Sequence, residues 1–386
     1  MTNPSSPRRA ERDLEPRQGH AGMTPSERHD LESRKHLLKE FLEELLGTGG
    51  ISAGVGLLGT AGEVLACEAV GRAVEEPPSL ATPGTLFDLA SLTKPVVATL
   101  AVVLDERGLL PLDLTIGEIF RSAHPRLRKR RLGQLLRHRS GLAPWAPLFE
   151  RCESRSQALD LLLSGELLSA EGEAYSDLGY ILWGFAAEDS LGSPLSQLLP
   201  ERLFAPLGIN NMTPSPGPRP DVAQSRLNND REIELARAQG WQIHPVRQVP
   251  HGTVQDGNAR FFGGMSGHGG LFSTASTMWK LGREWLAPGR VLKGPDVAEA
   301  LGYGERYALG WWWRRMRGHA GPALSPRAFG MVGFTGGSCW IDPDKSLVAV
   351  LLTHRRYATF DLAPWRRRFH RLAVDVVSEV RPALAG

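Results

Sequence analysis

The pattern of apolar and polar positions divides the chain into three stretches. In "HLLKEFLEELLG", Leu37 to Leu46 carries apolar residues at helical spacing and stops at Gly47 and Gly49. Two β-like runs follow, "ISAGVGLLGT" and "EVLACEAVGRA", joined by Ala61-Gly62 in a hairpin pattern. "FDLASLTKPVVATLAVVL", Phe87 to Leu104, then opens on a Ser-x-x-Lys box and runs into an apolar helix. From about Leu112 to Ala287 the pattern is helical and loop-rich. Its clearest helices are "ALDLLLSGELL" and "DLGYILWGFAAEDSLG", and "TPSPGPRPDV" is a Pro-rich loop. Strand signatures return in "YALGWWWRRM", "FTGGSCWID" and "SLVAVLLTH", and an amphipathic helix from about Trp365 to Val380 closes the chain.

Strands at both ends around a helical middle predict an α/β fold. The terminal pieces meet in one antiparallel sheet flanked by helices, with the middle inserted as a mainly α lobe. The expected organisation is a disordered tail over residues 1–30 and one domain over 31–386. Within that domain the sheet lobe takes about 35–110 and 295–386, and the helical lobe about 111–294. A cleft between two such lobes is the default place for a site.

Composition changes this picture little. A net charge of +3 is too small to imply a polyanionic partner. Cys67, Cys152 and Cys339, odd in number and unrelated in spacing, suit neither a disulfide framework nor a zinc site and read as small buried hydrophobes. The N-terminus has no apolar leader and no later run is long enough to span a bilayer, so the expected compartment is the cytoplasm, or the periplasm if the start codon is misassigned.

The chemistry lies in the boxes. Ser91 and Lys94 are three apart and share a helix face. At a helix start the serine Oγ is exposed and its N–H lacks an intrahelical partner, so that N–H can stabilise an oxyanion. A desolvated Lys94 with a depressed pKa would ease loss of the serine proton. Taken alone the box is weak: Ser91 could be only an N-cap and Lys94 a snorkelling surface residue. In "EAYSDLGYILWG", Tyr175 precedes a helix and Asp177 follows two residues on. The phenol can take or relay the serine proton and the carboxylate can bond the lysine. Equally, Tyr175 could be a buried phenol and Asp177 the N-cap of the next helix.

"FDLASLTKP", "LGQLLRHRSGL", "YSDLGYILWG", "LFAPLGINNMTPS", "HGTVQDGNARFFGGMSGHGGLFSTAS" and "GFTGGSCWIDPDKSLVAVLLTHR" occur in that order. Together they resemble the β-lactamase-related serine hydrolases, the group of class C β-lactamases, DD-peptidases and family VIII esterases, over roughly Leu38 to Val380. The resemblance implies the β-lactamase/transpeptidase-like fold. It implies that Ser91 is the acylated nucleophile, Lys94 its activating partner and Tyr175 the general base and acid. Asp177 stands where many members have Asn. No cofactor is implied, and the substrate would be a small molecule or a peptidoglycan-type peptide.

The third box departs from the family pattern. Where members carry Lys-Thr-Gly or His-Thr-Gly, this chain has Met331, Val332 and Gly333. Gly333 would let substrate backbone lie close to the strand, and the Phe334 N–H would be the second oxyanion donor. The missing cation and hydroxyl would hold a substrate carboxylate, a charge-assisted contact of about 1.5–3 kcal/mol. Esters need no such contact, so an esterase is expected first and a DD-peptidase or weak β-lactamase second. A fold-retaining ligand-binding protein without catalysis is the rival from another class. Arg314, Arg355 or Arg356 could supply the lost charge.

The remaining features have plainer readings. The basic stretch Arg126 to Arg139 lacks interleaved aromatics and reads as a solvated face, with no nucleic-acid partner. His138 is expected to organise a loop lining the cleft. Gly263 to Gly270 lacks the Lys-Ser/Thr of a phosphate loop and shapes a turn, placing His268 near substrate. The spacing of His251, Asp256 and His268 fits no metal pattern. Trp311 and Trp313 share one strand face and are expected to pack between sheet and helix, or to wall an acyl pocket.

Overall fold

The computed structural model describes residues 24–169, 174–225, 228–303, 305–316 and 318–384. Helix α1 (Pro25–Gly47) leads into β1 (Ile51–Gly59), β2 (Val64–Val74) and the short β3 (Ser79–Leu80). Most of the expected N-terminal tail, 1–23, lies outside the described residues, but 25–30 are the first turns of α1. Thr24 and Glu27 form a capping box there, and Pro25 occupies the first turn. The apolar pattern misses these turns because they bury almost nothing; the cap, of about 1 kcal/mol, holds them.

β4 (Phe87–Asp88) runs through a single 3₁₀ turn, Ala90–Leu92, into α2 (Thr93–Glu106). The helical middle contains α3 (Asp177–Leu191), β5 (Met212–Pro214), β6 (Leu271–Ser273) and α4 (Ala275–Leu286), among shorter helices. β7 (Trp312–Trp313), β8 (Phe329–Val332), β9 (Ser338–Asp342), β10 (Leu347–Arg355) and α5 (Ala363–Leu384) complete the chain.

One seven-stranded sheet runs β3-β2-β1-β10-β9-β8-β7, so strands from the two ends meet at its centre. The β1–β10 register sets Val55 opposite Leu352 and Leu57 opposite Val350. Alternation then makes two faces. Leu58, Ala349, Leu351 and Trp340 pack under α1 and α5, whereas Val55, Leu57, Val350 and Leu352 join the larger core with α2 and α4. β4, β6 and β5 form a separate small sheet that the sequence pattern does not show. Its strands are two or three residues long, and β5 takes the start of the expected Pro-rich loop.

All residues of α2 from Thr93 to Leu104 are buried, which explains a helix that is apolar around nearly its whole circumference. The Trp285 indole of α4 donates to Thr99 Oγ1 of α2 at 2.8 Å. Trp311 packs edge-on against Trp285 at 5.8 Å between ring centroids and, like Trp313, meets Phe329. All three cysteines are free; Cys152 and Cys339 are buried and Cys67 half-buried. Among the described residues no helix is long and apolar enough to cross a membrane.

Candidate active site

Ser91 does not start the α-helix. It sits half-buried in the 3₁₀ turn that precedes α2, and its side chain caps nothing. Ala90, just before it, has φ 46°, a left-handed conformation that costs a non-glycine residue about 1 kcal/mol or more. Asp88 fixes this turn. Its Oδ1 accepts the Ala90 N–H at 2.8 Å, its Oδ2 the Gln255 N–H at 2.7 Å, and its carbonyl the Thr335 hydroxyl at 2.7 Å. Burial pushes the Asp88 carboxyl up to about 6, against the two N–H groups that favour its charged form.

Lys94 is wholly buried, and its ammonium has four partners, Tyr175 among them. Nζ donates to Ser91 Oγ at 2.9 Å and to the His268 carbonyl at 3.2 Å, and pairs with Asp177 Oδ1 at 2.7 Å. The depressed pKa that would ease loss of the serine proton is not what this setting produces. Burial pulls the amine down, but the Asp177 carboxylate and then Tyr175 outweigh it, and the net direction is upward. Lys94 is therefore a fixed cation at neutral pH.

Tyr175 approaches from the helical lobe and hydrogen-bonds both Ser91 and Lys94. Burial raises its phenol above the usual range; Lys94 lowers it and Asp177 raises it again. Ser176, not Asp177, caps α3, accepting the Gly179 N–H at 3.2 Å. Asp177 is thereby free to reach the lysine. His138, at φ 58°, accepts the Ser176 N–H on Nδ1 at 3.0 Å and lies 4.2 Å from the Tyr175 ring, centroid to centroid. It shapes the segment that carries the phenol. Trp312 meets the same ring edge-on at 5.4 Å. The aromatic wall of the site is thus Trp312, on the opposite strand face from Trp311 and Trp313.

The third box lies along β8. Met331 is fully buried, opposite Cys339 of β9, so its side chain belongs to the core and not to a substrate-contacting surface. Gly333 is required by the protein's own backbone, not by a substrate's. A Cβ there would stand 2.5 Å from the Leu89 carbonyl oxygen, beside the Ala90–Leu92 turn that carries Ser91. Gly333→Ala is expected to lower both the thermal midpoint and kcat, because strand and turn must part. Unchanged melting and turnover would show that this contact relaxes freely. Arg366, buried under the following turn, donates to the carbonyls of Gly336 at 2.8 Å and Gly337 at 3.2 Å, and burial lowers its guanidinium to about 9. Phe334 carries Arg355 over its ring at 5.8 Å. Of the other candidate arginines, Arg356 pairs with Glu75 at 3.1 Å and Arg314 reaches the Gly321 carbonyl at 3.4 Å.

His268 is near the site through its carbonyl. Its imidazole is buried, held between Asp256 and Ser266. His251 bonds the Val222 carbonyl at 2.8 Å, and no group of metal-ligating side chains occurs among the described residues. Sequence reasoning missed Asp88, Trp312 and Thr335. Asp88 was visible in "FDLAS" as an acid in an apolar strand, a cue for a buried structural bond.

The Beta-lactamase family model matches residues 38–373. A putative D-alanyl-D-alanine carboxypeptidase of Escherichia coli O157:H7 is 28% identical over 328 residues, covering 75% of this chain and 73% of its own. An N-acetylmuramyl-L-alanine amidase of Bacillus subtilis (strain 168) is 29% identical over 314 residues, covering 71% and 68%. EstCE1, described as a hydrolase with promiscuous acyltransferase activity, superposes with a TM-score of 0.69 at 19% identity, over 92% of this chain and 100% of its own. A class C beta lactamase does so at 0.67 and 19%, over 93% and 100%. At these identities the two structures show a shared fold: antiparallel sheet, flanking helices and a helical insertion.

Proposed function

Because this chain belongs to the Beta-lactamase family, a family of serine hydrolases, we propose that it is an esterase-like hydrolase acting through an acyl-enzyme on Ser91. The observation that carries the reading is the convergence of three side chains from separate elements: Lys94 Nζ stands 2.9 Å from Ser91 Oγ, and Tyr175 bonds both. Ser91 Oγ attacks the carbonyl carbon while its proton passes to the Tyr175 oxygen. The Ser91 and Phe334 N–H groups receive the oxyanion. The ester C–O bond breaks, Tyr175 returns the proton to the departing alcohol, and water repeats the sequence on the acyl-enzyme.

The reactive form is the Tyr175–Lys94 pair less one proton, titrating as a unit. Both members are held protonated at neutral pH, so turnover rises toward basic pH. With Met331 buried and the part-exposed Val332 at the end of β8, this strand offers no cation or hydroxyl to a substrate carboxylate, which favours esters. A DD-peptidase is the second reading, favoured by the carboxypeptidase-like relatives and by Arg355 over the Phe334 ring.

The test pairs a serine-directed phosphonate, its adduct located by mass spectrometry, with a screen of p-nitrophenyl esters, nitrocefin and a D-Ala-D-Ala peptide. Labelling at Ser91 and preferential ester turnover are expected. Peptide turnover at a comparable rate would give the second reading, and no adduct on Ser91 would make the protein a non-catalytic binder.

A further inference from the structure

One of the partners of Lys94 is a backbone carbonyl in irregular chain. Asp177 belongs to α3 and Ser91 to the nucleophile turn, both fixed by their own elements. The His268 carbonyl sits instead in the glycine-rich turn between residues 263 and 270. There Ser266 and Gly269 exchange backbone bonds at 2.9 and 3.4 Å. Gly267 presses against α3 so closely that a Cβ would lie 1.9 Å from the Tyr180 carbonyl oxygen. Four residues without regular structure do not by themselves aim a carbonyl.

What aims it is the side chain of the same residue. The His268 Nε2 meets Asp256 Oδ1 at 2.9 Å, and its Nδ1 meets Ser266 Oγ at 2.5 Å. Asp256 is anchored in turn, accepting the Ala259 N–H at 2.8 Å as the cap of a short helix, Gly257–Phe261. Glu232 accepts the Gly257 N–H at 2.7 Å, and Arg260 reaches the Val254 carbonyl at 3.0 Å. The charged groups around the ring are therefore Asp256, Glu232, Arg260 and, beyond its carbonyl, Lys94. Burial works to raise the Asp256 carboxyl, but the imidazole beside it outweighs that and holds it below its ordinary range, so the bond to His268 is charge-assisted.

We propose that His268 is a positioning residue for acyl transfer: clamped between Asp256 and Ser266, it points its own carbonyl oxygen at Lys94 and so fixes the direction of the ammonium toward Ser91 and Tyr175. The proposal rests on the hydrolase reading and extends it to a network that the three converging side chains do not contain. The same geometry resembles a serine–histidine–aspartate nucleophile. However, the Ser266 hydroxyl is buried and bonded to the ring.

The test uses the full chain with His268→Phe, His268→Gln and Asp256→Asn. Phosphonate labelling, ester kcat and KM, and thermal unfolding are followed from mildly acid to basic pH. His268→Phe is expected to lower kcat about tenfold at unchanged KM, a misplacement effect, and to displace the ascending limb of the pH profile. His268→Gln, whose carboxamide can keep one of the two bonds, should recover much of that loss. If the phenylalanine variant does not fold, Asp256→Asn reports the same displacement. A folded His268→Phe with wild-type kcat and pH limb overturns the proposal, as does equal loss in both histidine variants, or phosphonate found on Ser266. Wild-type protein that is unlabelled at Ser91 overturns the hydrolase reading instead, and is detected before any variant is made.

Discussion

Lys94→Met is expected to lower kcat by roughly 10³- to 10⁴-fold with little change in KM. The ammonium touches Ser91 Oγ and bonds Tyr175, and its charge lowers the phenol's pKa, making available the deprotonated oxygen that takes the serine proton. Methionine keeps the apolar length of the side chain and removes only the cation. Stability should fall as well. Asp177 would be left without its cation, and breaking a buried pair costs up to about 3–5 kcal/mol, less here because Asp177 remains partly exposed. The double variant Lys94→Met with Asp177→Asn separates the two effects. It should melt near the wild type and still be inactive in single-turnover acylation. Ester turnover retained in the single variant would remove Lys94 from the chemistry.

Asp177→Asn alone should do the opposite to activity at neutral pH. The carboxylate raises the pKa of Lys94 and that of Tyr175, so it holds the proton that the reactive form must lose. Removing a negative charge lowers both values. The ascending limb of kcat/KM then moves to lower pH by about one to two units, which is ten- to a hundredfold in rate on the old limb. The amide retains a bond to Nζ, so the lysine stays in place. A pH–rate profile of the two proteins, measured on one ester, decides the matter. A limb that stays put or moves upward would show that Asp177 does not set the proton inventory.

The fold was largely legible because its signals are long. The nine-residue strands β1 and β10, the apolar α2 and the amphipathic α5 carry periods that survive in a single sequence. The small sheet of β4, β5 and β6 was not legible, since two or three residues contain no period. The first turns of α1 were hidden for a different reason: they are exposed and rest on a cap.

At the site, the boxes made Ser91, Lys94 and Tyr175 candidates, the family resemblance implied their roles, and the structure brings the three side chains together. What spacing could not give was direction. Gly333 reads as room for a ligand, yet the space is taken by the Leu89 carbonyl. His268 reads as a residue near substrate, yet its ring is buried between Asp256 and Ser266 and it is the carbonyl that faces the lysine. Electrostatic sign was equally out of reach. Burial alone argues for a neutral lysine, and the placement of Asp177 at 2.7 Å, with Tyr175 beside it, reverses that.

The pairing of β1 with β10 has a consequence for how the protein is made. The nucleophile turn hangs from Thr335, and the sheet that carries Thr335 is closed by a strand ending at Arg355, late in the sequence. During synthesis the first strands leave the ribosome long before their central neighbour exists. A nascent or prematurely terminated chain thus holds Ser91 without the scaffold that positions its turn. The arrangement proposed for acyl transfer is complete only when the strand ending at Arg355 slots between strands already made.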